Sequence, residues 1–344
     1  MDREDVPRPR GDGTMAAEIK NGEEKAPRPR RLALTLVAFR RVGRDFAWLT
    51  LEAPPDWHSL PGQFVNVLCE SDPRAAVASE GRPLDDLAGW PQTTGLEIGR
   101  RWPVVRRPYS IARVVRRERG VRLELLVRAV GRGSQFLHRR PLGSALDVVG
   151  PLGSHFTAPA DDRQCILVGG GCGVAPIFGL ADDLAALGKS CLCFFGASSV
   201  RDMPVEFQGP PTPTQDRIET TDAVGEFAAI GVPTVLATDD GSAGFHGTVM
   251  DALERHLQRV EEGKPAALYG CGPEPMLKAL SDLARRRRWP CQASMERFMG
   301  CGIGVCLSCA TKWREAGSPK GWTYRLTCRE GPVVEGRDII WDEP

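Results

Sequence analysis

Residues 164–188 read QCILVGGGCGVAPIFGLADDLAALG: an apolar run, glycines at 169, 170, 171 and 173, then an amphipathic stretch with Pro176 near its start. A short apolar run bounded by glycine predicts a strand buried on both faces, and the apolar spacing that follows predicts a helix. Glycines between strand and helix let backbone approach a pyrophosphate that the helix start stabilises. The run is not a strict G-x-G-x-x-G, and close packing of helix on strand would also require glycine.

The alternation continues toward the carboxyl end. SCLCFFGAS (190–198), VPTVLAT (232–238) and AALYGCG (266–272) read as strands, while GTVMDALERHLQRV (247–260) and EPMLKALSDLARRRR (274–288) read as helices. Strands alternating with helices predict a parallel sheet with helices on both faces, which binds ligands beyond the carboxyl ends of its strands. The amino side has a different rhythm: LALTLVAFRRV (32–42), DFAWLTLEAP (45–54), GQFVNVLCE (62–70), RPYSIARVV (107–115), VRLELLVRAV (121–130) and SALDVVG (144–150). Six short runs without long helices predict a small antiparallel barrel.

The expected organisation is therefore multidomain, α/β and β. A tail at 1–31, rich in Pro, Gly and charge, lacks the apolar surface to fold. A β-barrel follows at 32–158, interrupted by a long inserted loop at 71–106, then an α/β nucleotide-binding unit at 159–290 and a small cysteine-bearing unit at 291–344.

Composition removes several function classes. With 45 basic and 44 acidic residues the net charge is +1, which offers no field to attract nucleic acid or an anionic membrane. No stretch approaches the ~20 apolar residues of a membrane span, and no apolar signal segment opens the chain, so a soluble cytoplasmic protein is expected. Eleven cysteines, odd in number and unevenly spaced, suit metal or redox use in a reducing compartment. The five histidines stand at no metal-ligand spacing, and no Ser-His-Asp set is legible, so no catalytic acid or base is assigned.

The cysteines carry the sharpest signal. Cys301-x4-Cys306-x2-Cys309 is followed, after eighteen intervening residues, by Cys328. That is the ligand spacing of a plant-type 2Fe-2S cluster, in which two irons take four thiolates. Glycines 300, 302 and 304 would let the backbone wrap the cluster and approach its sulfides. A structural zinc site also uses four cysteines, but favours two separated C-x2-C knuckles, and here Cys306 and Cys309 form one. Of the other seven, six read as small core residues, namely Cys69, Cys165, Cys172, Cys191, Cys193 and Cys291; Cys271, at a strand end, is the exception.

Flavin signals lie in the barrel. Arg107, Pro108, Tyr109 and Ser110 place a cation, a rigid turn, a ring and a hydroxyl in sequence, suited to a pyrophosphate and a flavin ring. Gly131-x-Gly133-Ser134 follows a strand and opens a helix, whose free N–H groups bind phosphate. Gly150-Pro151-Leu152-Gly153 then closes the barrel.

Taken in order, RRPYSI, LVRAVGRGS, GPLG, GGGCGVAP, FFGASS, TDDGSAGFHGTV, YGCGPEPM and SMERFMGCGIGVCLSC with CREGPVV resemble the electron-transfer subunits of dihydroorotate dehydrogenase B, within the ferredoxin-NADP reductase superfamily. The resemblance spans residues 32–340. It implies an FAD-binding barrel, an NAD-binding domain and a 2Fe-2S domain. FAD would be held by Arg107, Pro108, Tyr109 and Ser110, by Leu126, Val127 and Arg128, and by Gly133 and Ser134. The cluster would sit on Cys301, Cys306, Cys309 and Cys328. NAD would lie over Gly170, Gly171 and Gly173, with Thr238, Asp239 and Asp240, and Cys271, Gly272 and Pro273, near the nicotinamide end.

The implied partner is an FMN-containing dihydroorotate dehydrogenase catalytic subunit, in a heterotetramer of two of each, serving pyrimidine biosynthesis. NAD rather than NADP follows from the resemblance alone, since Ser198, Ser199 and Arg201 would equally receive a 2′-phosphate. The insertion at 71–106 and the charged tail depart from the family pattern. Two alternatives stay open: a flavoprotein subunit of a ferredoxin-NADP oxidoreductase or sulfhydrogenase complex, and a zinc-stabilised interaction module without enzymatic activity. Glu296 either approaches the flavin or cluster or is a solvated carboxylate. Arg285 to Arg288 complement a helix dipole or form a docking patch.

Overall fold

The structure, a computed structural model, describes residues 28–69, 106–118, 120–259 and 264–341. Nearly all of the expected tail and of the expected insertion lies outside these residues.

Six strands close the amino-terminal barrel: β1 (Arg30–Val42), β2 (Phe46–Ala53), β3 (Phe64–Val67), β4 (Arg107–Arg117), β5 (Gly120–Arg128) and β6 (Ala145–Leu152). They run in the order β1-β2-β5-β4-β3-β6, every pairing antiparallel. Side chains alternate across a strand, so Leu123, Leu125 and Val127 of β5 point inward and pack with Leu34, Leu36, Leu49 and Leu51. Leu126 and Arg128 point the other way, toward the second domain. A short helix, α1 (Arg132–His138), joins β5 to β6.

The first strand begins at Arg30, inside the expected tail, pairing Arg30 with Gly150 and Arg31 with Val149. These positions are held by ions rather than apolar burial: Arg30 meets Asp56 and Arg31 meets Asp147, each at 2.6 Å. A boundary drawn from apolar content falls short for that reason.

The second domain contains β7 (Gln164–Gly170), α2 (Val174–Ala186), β8 (Cys191–Ala197), β9 (Pro213–Gln215), β10 (Thr220–Thr221), α3 (Gly225–Ala228), β11 (Thr234–Thr238), β12 (Gly244–His246), α4 (Val249–Leu257), β13 (Ala266–Gly272), α5 (Glu274–Arg287) and β14 (Cys291–Met295). From β14 the sheet runs β14-β13-β7-β8-β11-β12-β9, all parallel, with β10 antiparallel beside β11. A hairpin of β15 (Ala310–Arg314) and β16 (Trp322–Leu326) follows, and β17 (Val333–Glu335) returns to pair antiparallel with β14.

The boundary expected at residue 291 is therefore misplaced. Cys291–Met295 extends the nucleotide sheet, pairing from Leu268↔Cys291 to Gly272↔Met295. The chain leaves that sheet at Met295 and rejoins it at Val333, so the cysteine unit is a long excursion anchored at both ends. Five residues reading CQASM do not show whether they end one sheet or begin another. Only the partner strand decides.

Barrel and nucleotide domain meet along α2. Gly179 is needed because a methyl there would sit 2.9 Å from the carbonyl oxygen of Ala112 on β4. One residue on, Arg113 Nε and Nη2 donate to the two carboxylate oxygens of Asp182, both at 2.6 Å. Both side chains are mostly shielded from solvent, so this fork should be worth more than a surface pair. In a double-mutant cycle, Arg113→Ala and Asp182→Ala should show about 1–3 kcal/mol of coupling in chemical denaturation. A coupling below about 0.5 kcal/mol would mean the domains are held by apolar contact alone.

Candidate functional site

A cleft of about 990 Å³ opens where the carboxyl ends of the parallel strands face β4, β5 and α1. This is the position at which open α/β sheets bind ligands, and the size suits a large cofactor. From the barrel it is lined by Arg107, Pro108, Tyr109, Ser110, Leu126, Arg128, Gly133 and Ser134, all expected from sequence. From the sheet come the expected Gly173 and Cys271.

Several of the barrel residues are held by identifiable contacts. The Tyr109 hydroxyl lies 3.9 Å from Cys69 Sγ, and burial pushes its phenol well above the ordinary range. Burial also pushes the Cys69 thiol up to about 11. Arg128 sits over the Phe46 ring at 5.3 Å. The Ser134 hydroxyl accepts from the N–H groups of Val130 and Gly131 and donates to the Gly131 carbonyl, each at 3.0 Å. It shapes the turn before α1. Gly133 leaves a space that a methyl would fill 3.0 Å from Arg107 Cγ. Cations, an apolar floor and a tight backbone turn in one cleft fit a flavin dinucleotide.

Val127 differs from its neighbours, because its side chain faces the barrel interior. What it presents locally is backbone, and its carbonyl already accepts from His138 Nε2 at 3.0 Å.

The nucleotide motifs fall into two groups. At the end of β7, a methyl on Gly173 would lie 2.3 Å from the Cys271 carbonyl oxygen, and one on Gly170 2.9 Å from Pro273 Cδ. The turn at 169–173 and the Cys271-Gly272-Pro273 turn thus press together, backbone against backbone. Gly171, at φ +52°, has open space above it, as an approaching ligand requires. Thr238, Asp239 and Asp240 lie apart, at the end of β11 two strands away. The Thr238 hydroxyl bonds both the carbonyl and the N–H of Ala243, at 2.7 and 3.0 Å, while Asp240 Oδ1 accepts from Ser242 N–H at 2.9 Å.

Several lining residues carry no local sequence signal. Cys172, expected in the core, is only half-buried and lines the cleft, because it belongs to the glycine turn rather than to a strand. Burial, with the Glu296 carboxylate nearby, pushes its thiol up to about 12. Glu296 also lines the cleft. Its side chain is open to cleft water, yet the surrounding walls raise its carboxyl above the ordinary range. Arg132, Ser294, Arg297, Phe298 and Met299 complete this part of the lining. The arginine run stays off the cleft: Arg285 meets Asp282, Arg286 meets Glu254, and Arg287 lies over Trp289.

The cysteine loop begins beside this wall. Cys301 Sγ accepts N–H bonds from Ile303, Val305 and Cys306 at 3.5, 3.3 and 3.4 Å. The loop achieves this through left-handed turns at Gly302, Gly304 and Leu307. Cys306 N–H reaches Cys301 Sγ, while Cys309 and Cys328 pack together with Phe64 and Met299. Four thiolates at the plant-type spacing are the donor set that two irons need. The donor set and the loop's N–H···S bonds therefore fit a 2Fe-2S cluster.

Cys306 is the exposed member. Its bond with Ser308, and then its contact with Cys301, bring its thiol down to about 6, while burial and Cys309 push Cys328 up to about 12. A lowered thiol is thiolate above its own pKa, so its reactivity rises through that pH. In reduced, cluster-free protein, alkylation of Cys306 should have its midpoint near pH 6, and at pH 7 should outpace that of Cys328 by on the order of tenfold or more. Mass-spectrometric mapping checks this; a midpoint near the ordinary thiol value would remove the Ser308 argument.

Comparison with known proteins agrees with these features. Residues 296–340 match the model of the iron-sulfur cluster binding domain of dihydroorotate dehydrogenase B. The chain is 35% identical over 284 residues to the dihydroorotate dehydrogenase B (NAD(+)) electron transfer subunit of Desulforamulus reducens, covering 83% of this chain and 88% of that one. It is 34% identical over 241 residues to the corresponding subunit of Geobacillus thermodenitrificans, covering 69% and 81%. In fold it is similar to a chain of an NADH-dependent reduced ferredoxin-NADP oxidoreductase, with TM-score 0.63, 22% identity and 94% and 92% of the chains covered. No helix among the described residues is long and apolar enough to cross a membrane. With that much shared sequence, and a cysteine loop seated against a dinucleotide cleft, the chain belongs to the family of dihydroorotate dehydrogenase B electron transfer subunits.

Proposed function

We propose that this chain passes electrons between an FMN-containing dihydroorotate dehydrogenase catalytic subunit and NAD, through FAD in the cleft and a 2Fe-2S cluster on the cysteine loop, within pyrimidine biosynthesis. One observation carries the reading. Phe298 and Met299 line the cleft and Cys301 follows two residues later, so the cluster loop is an extension of the cleft wall. Electron transfer between two cofactors needs that proximity.

We assign the flavin to the barrel that begins at Arg30, the nicotinamide nucleotide to the parallel sheet through Met295, and the cluster to the excursion between Met295 and Val333. FAD, when bound, converts a two-electron hydride into single electrons that a 2Fe-2S centre can carry. Arg107 and Arg128, with the first turn of α1 at Gly133, would hold the diphosphate. Tyr109 and Ser110 orient the ring, backed by Leu126, Val127 and the turn that Ser134 shapes. Gly170, Gly171 and Gly173, against Cys271, Gly272 and Pro273, admit the nicotinamide nucleotide over the same cleft. Cys301, Cys306, Cys309 and Cys328 hold the irons.

NAD is favoured over NADP at the end of β8, where Ser199 already donates to Asp202 at 2.7 Å, so a 2′-phosphate would find that hydroxyl taken and a carboxylate beside it. For the partner, exposed Ile303, Val305 and Leu307 surround the exposed Cys306 and offer an apolar docking face beside the cluster. Two copies of each subunit complete the assembly. Four thiolates given to a cluster suit a reducing cytoplasm.

The test is anoxic co-expression with candidate partners, followed by iron and flavin analysis, absorption and EPR spectra. The expected product is a complex with a TIM-barrel FMN protein holding FAD and a 2Fe-2S cluster, reduced by NADH on the order of tenfold faster than by NADPH. Iron-free, flavin-free protein, or capture of a larger iron-sulfur flavoprotein in place of the FMN protein, would overturn it.

A further inference from the structure

Asn66 is fully buried at the third position of β3 and does not line the cofactor cleft. A buried amide requires partners for both of its ends. Asn66 Nδ2 donates to the carbonyl oxygen of Cys301 at 2.7 Å, across 235 residues of sequence. Its Oδ1 has no partner among the described residues. The side chain is aimed at the cluster loop so closely that a methyl on Gly302 would fall 2.6 Å from Nδ2 and 3.2 Å from Oδ1.

The main chain of Asn66 is fastened as well: Arg106 Nη1 donates to its backbone carbonyl oxygen at 3.3 Å, and the same guanidinium meets Asp147 at 2.7 Å. On the adjacent strand Arg107 reaches the Gly300 carbonyl at 3.4 Å, and β3 and β4 are in register there, Asn66 opposite Pro108. Two consecutive carbonyls of the cluster loop, 300 and 301, are thus gripped by two neighbouring barrel strands, one of which carries the flavin residues.

We propose that Asn66 is a positioning residue that sets the cluster loop on the flavin-binding strands, an inference that rests on the 2Fe-2S reading of that loop. The carbonyl of Cys301 belongs to the peptide plane whose nitrogen is Gly302. Holding that carbonyl fixes the plane, and with it the left-handed turn at Gly302, φ +68°. The turn in turn directs the N–H groups of Ile303, Val305 and Cys306 at Cys301 Sγ. Hydrogen bonds to cluster sulfur stabilise the more negative, reduced state and raise the potential. Releasing the carbonyl should loosen all three bonds together.

The experiment uses the full chain in complex with its partner, purified without oxygen. Asn66→Leu removes the donor at similar volume. Gly302→Ala pushes the same contact apart from the loop side, with every barrel residue unchanged in sequence. Gly317→Ala is the control, since that glycine is also left-handed, at φ +92°, but has open space around it. Asn66→Leu and Gly302→Ala should keep FAD affinity within about twofold of the parent, while iron release to a chelator speeds and flavin-to-cluster electron passage slows by about tenfold each. The reduced cluster should show an altered EPR spectrum and a more negative potential. Gly317→Ala should change none of these.

An Asn66→Leu protein with parental EPR, potential and iron release would overturn the proposal, as would a Gly317→Ala protein reproducing the full pattern. If Asn66→Leu fails to fold, Gly302→Ala carries the decision. Absence of iron from the parent complex would instead remove the cluster reading beneath, a result distinct from an intact cluster indifferent to Asn66.

Discussion

Replacing Cys309 by serine is expected to give a protein that folds, binds FAD and oxidises NADH with an artificial acceptor, yet holds no 2Fe-2S cluster. Cys309 is 3% exposed and packs with Cys328 beneath the loop. Serine is close in volume, so the loss falls on iron binding rather than on packing. A hydroxyl does not deprotonate near neutral pH and is a poor ligand where a thiolate is needed. Electron delivery to the partner should fall on the order of 10³-fold, equivalent to about 4 kcal/mol of barrier, because the route through the loop is gone. Iron analysis and EPR read the first effect, and stopped-flow with the partner reads the second. Cys309→Ser protein retaining two irons with an unchanged spectrum would contradict the ligand set.

The second large effect is expected for Gly173→Ala. The added methyl would lie 2.3 Å from the Cys271 oxygen, 2.5 Å from the Cys271 carbonyl carbon and 2.6 Å from the Gly272 nitrogen. All three atoms are backbone, held in β13 between β7 and β14, so no rotamer change relieves the overlap. The turn or the strand end must move, at about 2–4 kcal/mol of stability, or about 6–12 °C in Tm for a domain of this size. The displaced atoms belong to both nucleotide turns, so flavin reduction by NADH should slow by on the order of 10²-fold. Gly171→Ala is the informative comparison. It carries the left-handed penalty at φ +52° but meets no atom within 4 Å, and should cost only about 1–2 kcal/mol. Equal effects from the two substitutions would show that backbone conformation, not contact with Cys271, governs the turn.

Much of the site was legible because its chemistry is local. Arg107 to Ser110 are consecutive on one strand, and the cysteine spacing is a property of one loop. Other parts had no local signature. Cys172 looked like one more small core residue until the glycine turn placed it in the cleft wall. Glu296 sits after a strand whose sheet membership depends on β13, so its direction was not readable from SMER. Val127, assigned with Leu126 and Arg128, turned inward because residues on a strand alternate between faces.

By itself the amino-acid sequence specified a barrel, a parallel nucleotide sheet and a four-thiolate loop, since strand period, strand–turn–helix pattern and ligand spacing are each written within a few residues. Tertiary structure alone decided that Cys291–Met295 extends the nucleotide sheet, that the cluster loop continues the flavin cleft, and that Asn66 grips Cys301. Those relations join residues far apart in the chain. They depend on which surfaces pack once the domains meet, and no local pattern encodes that.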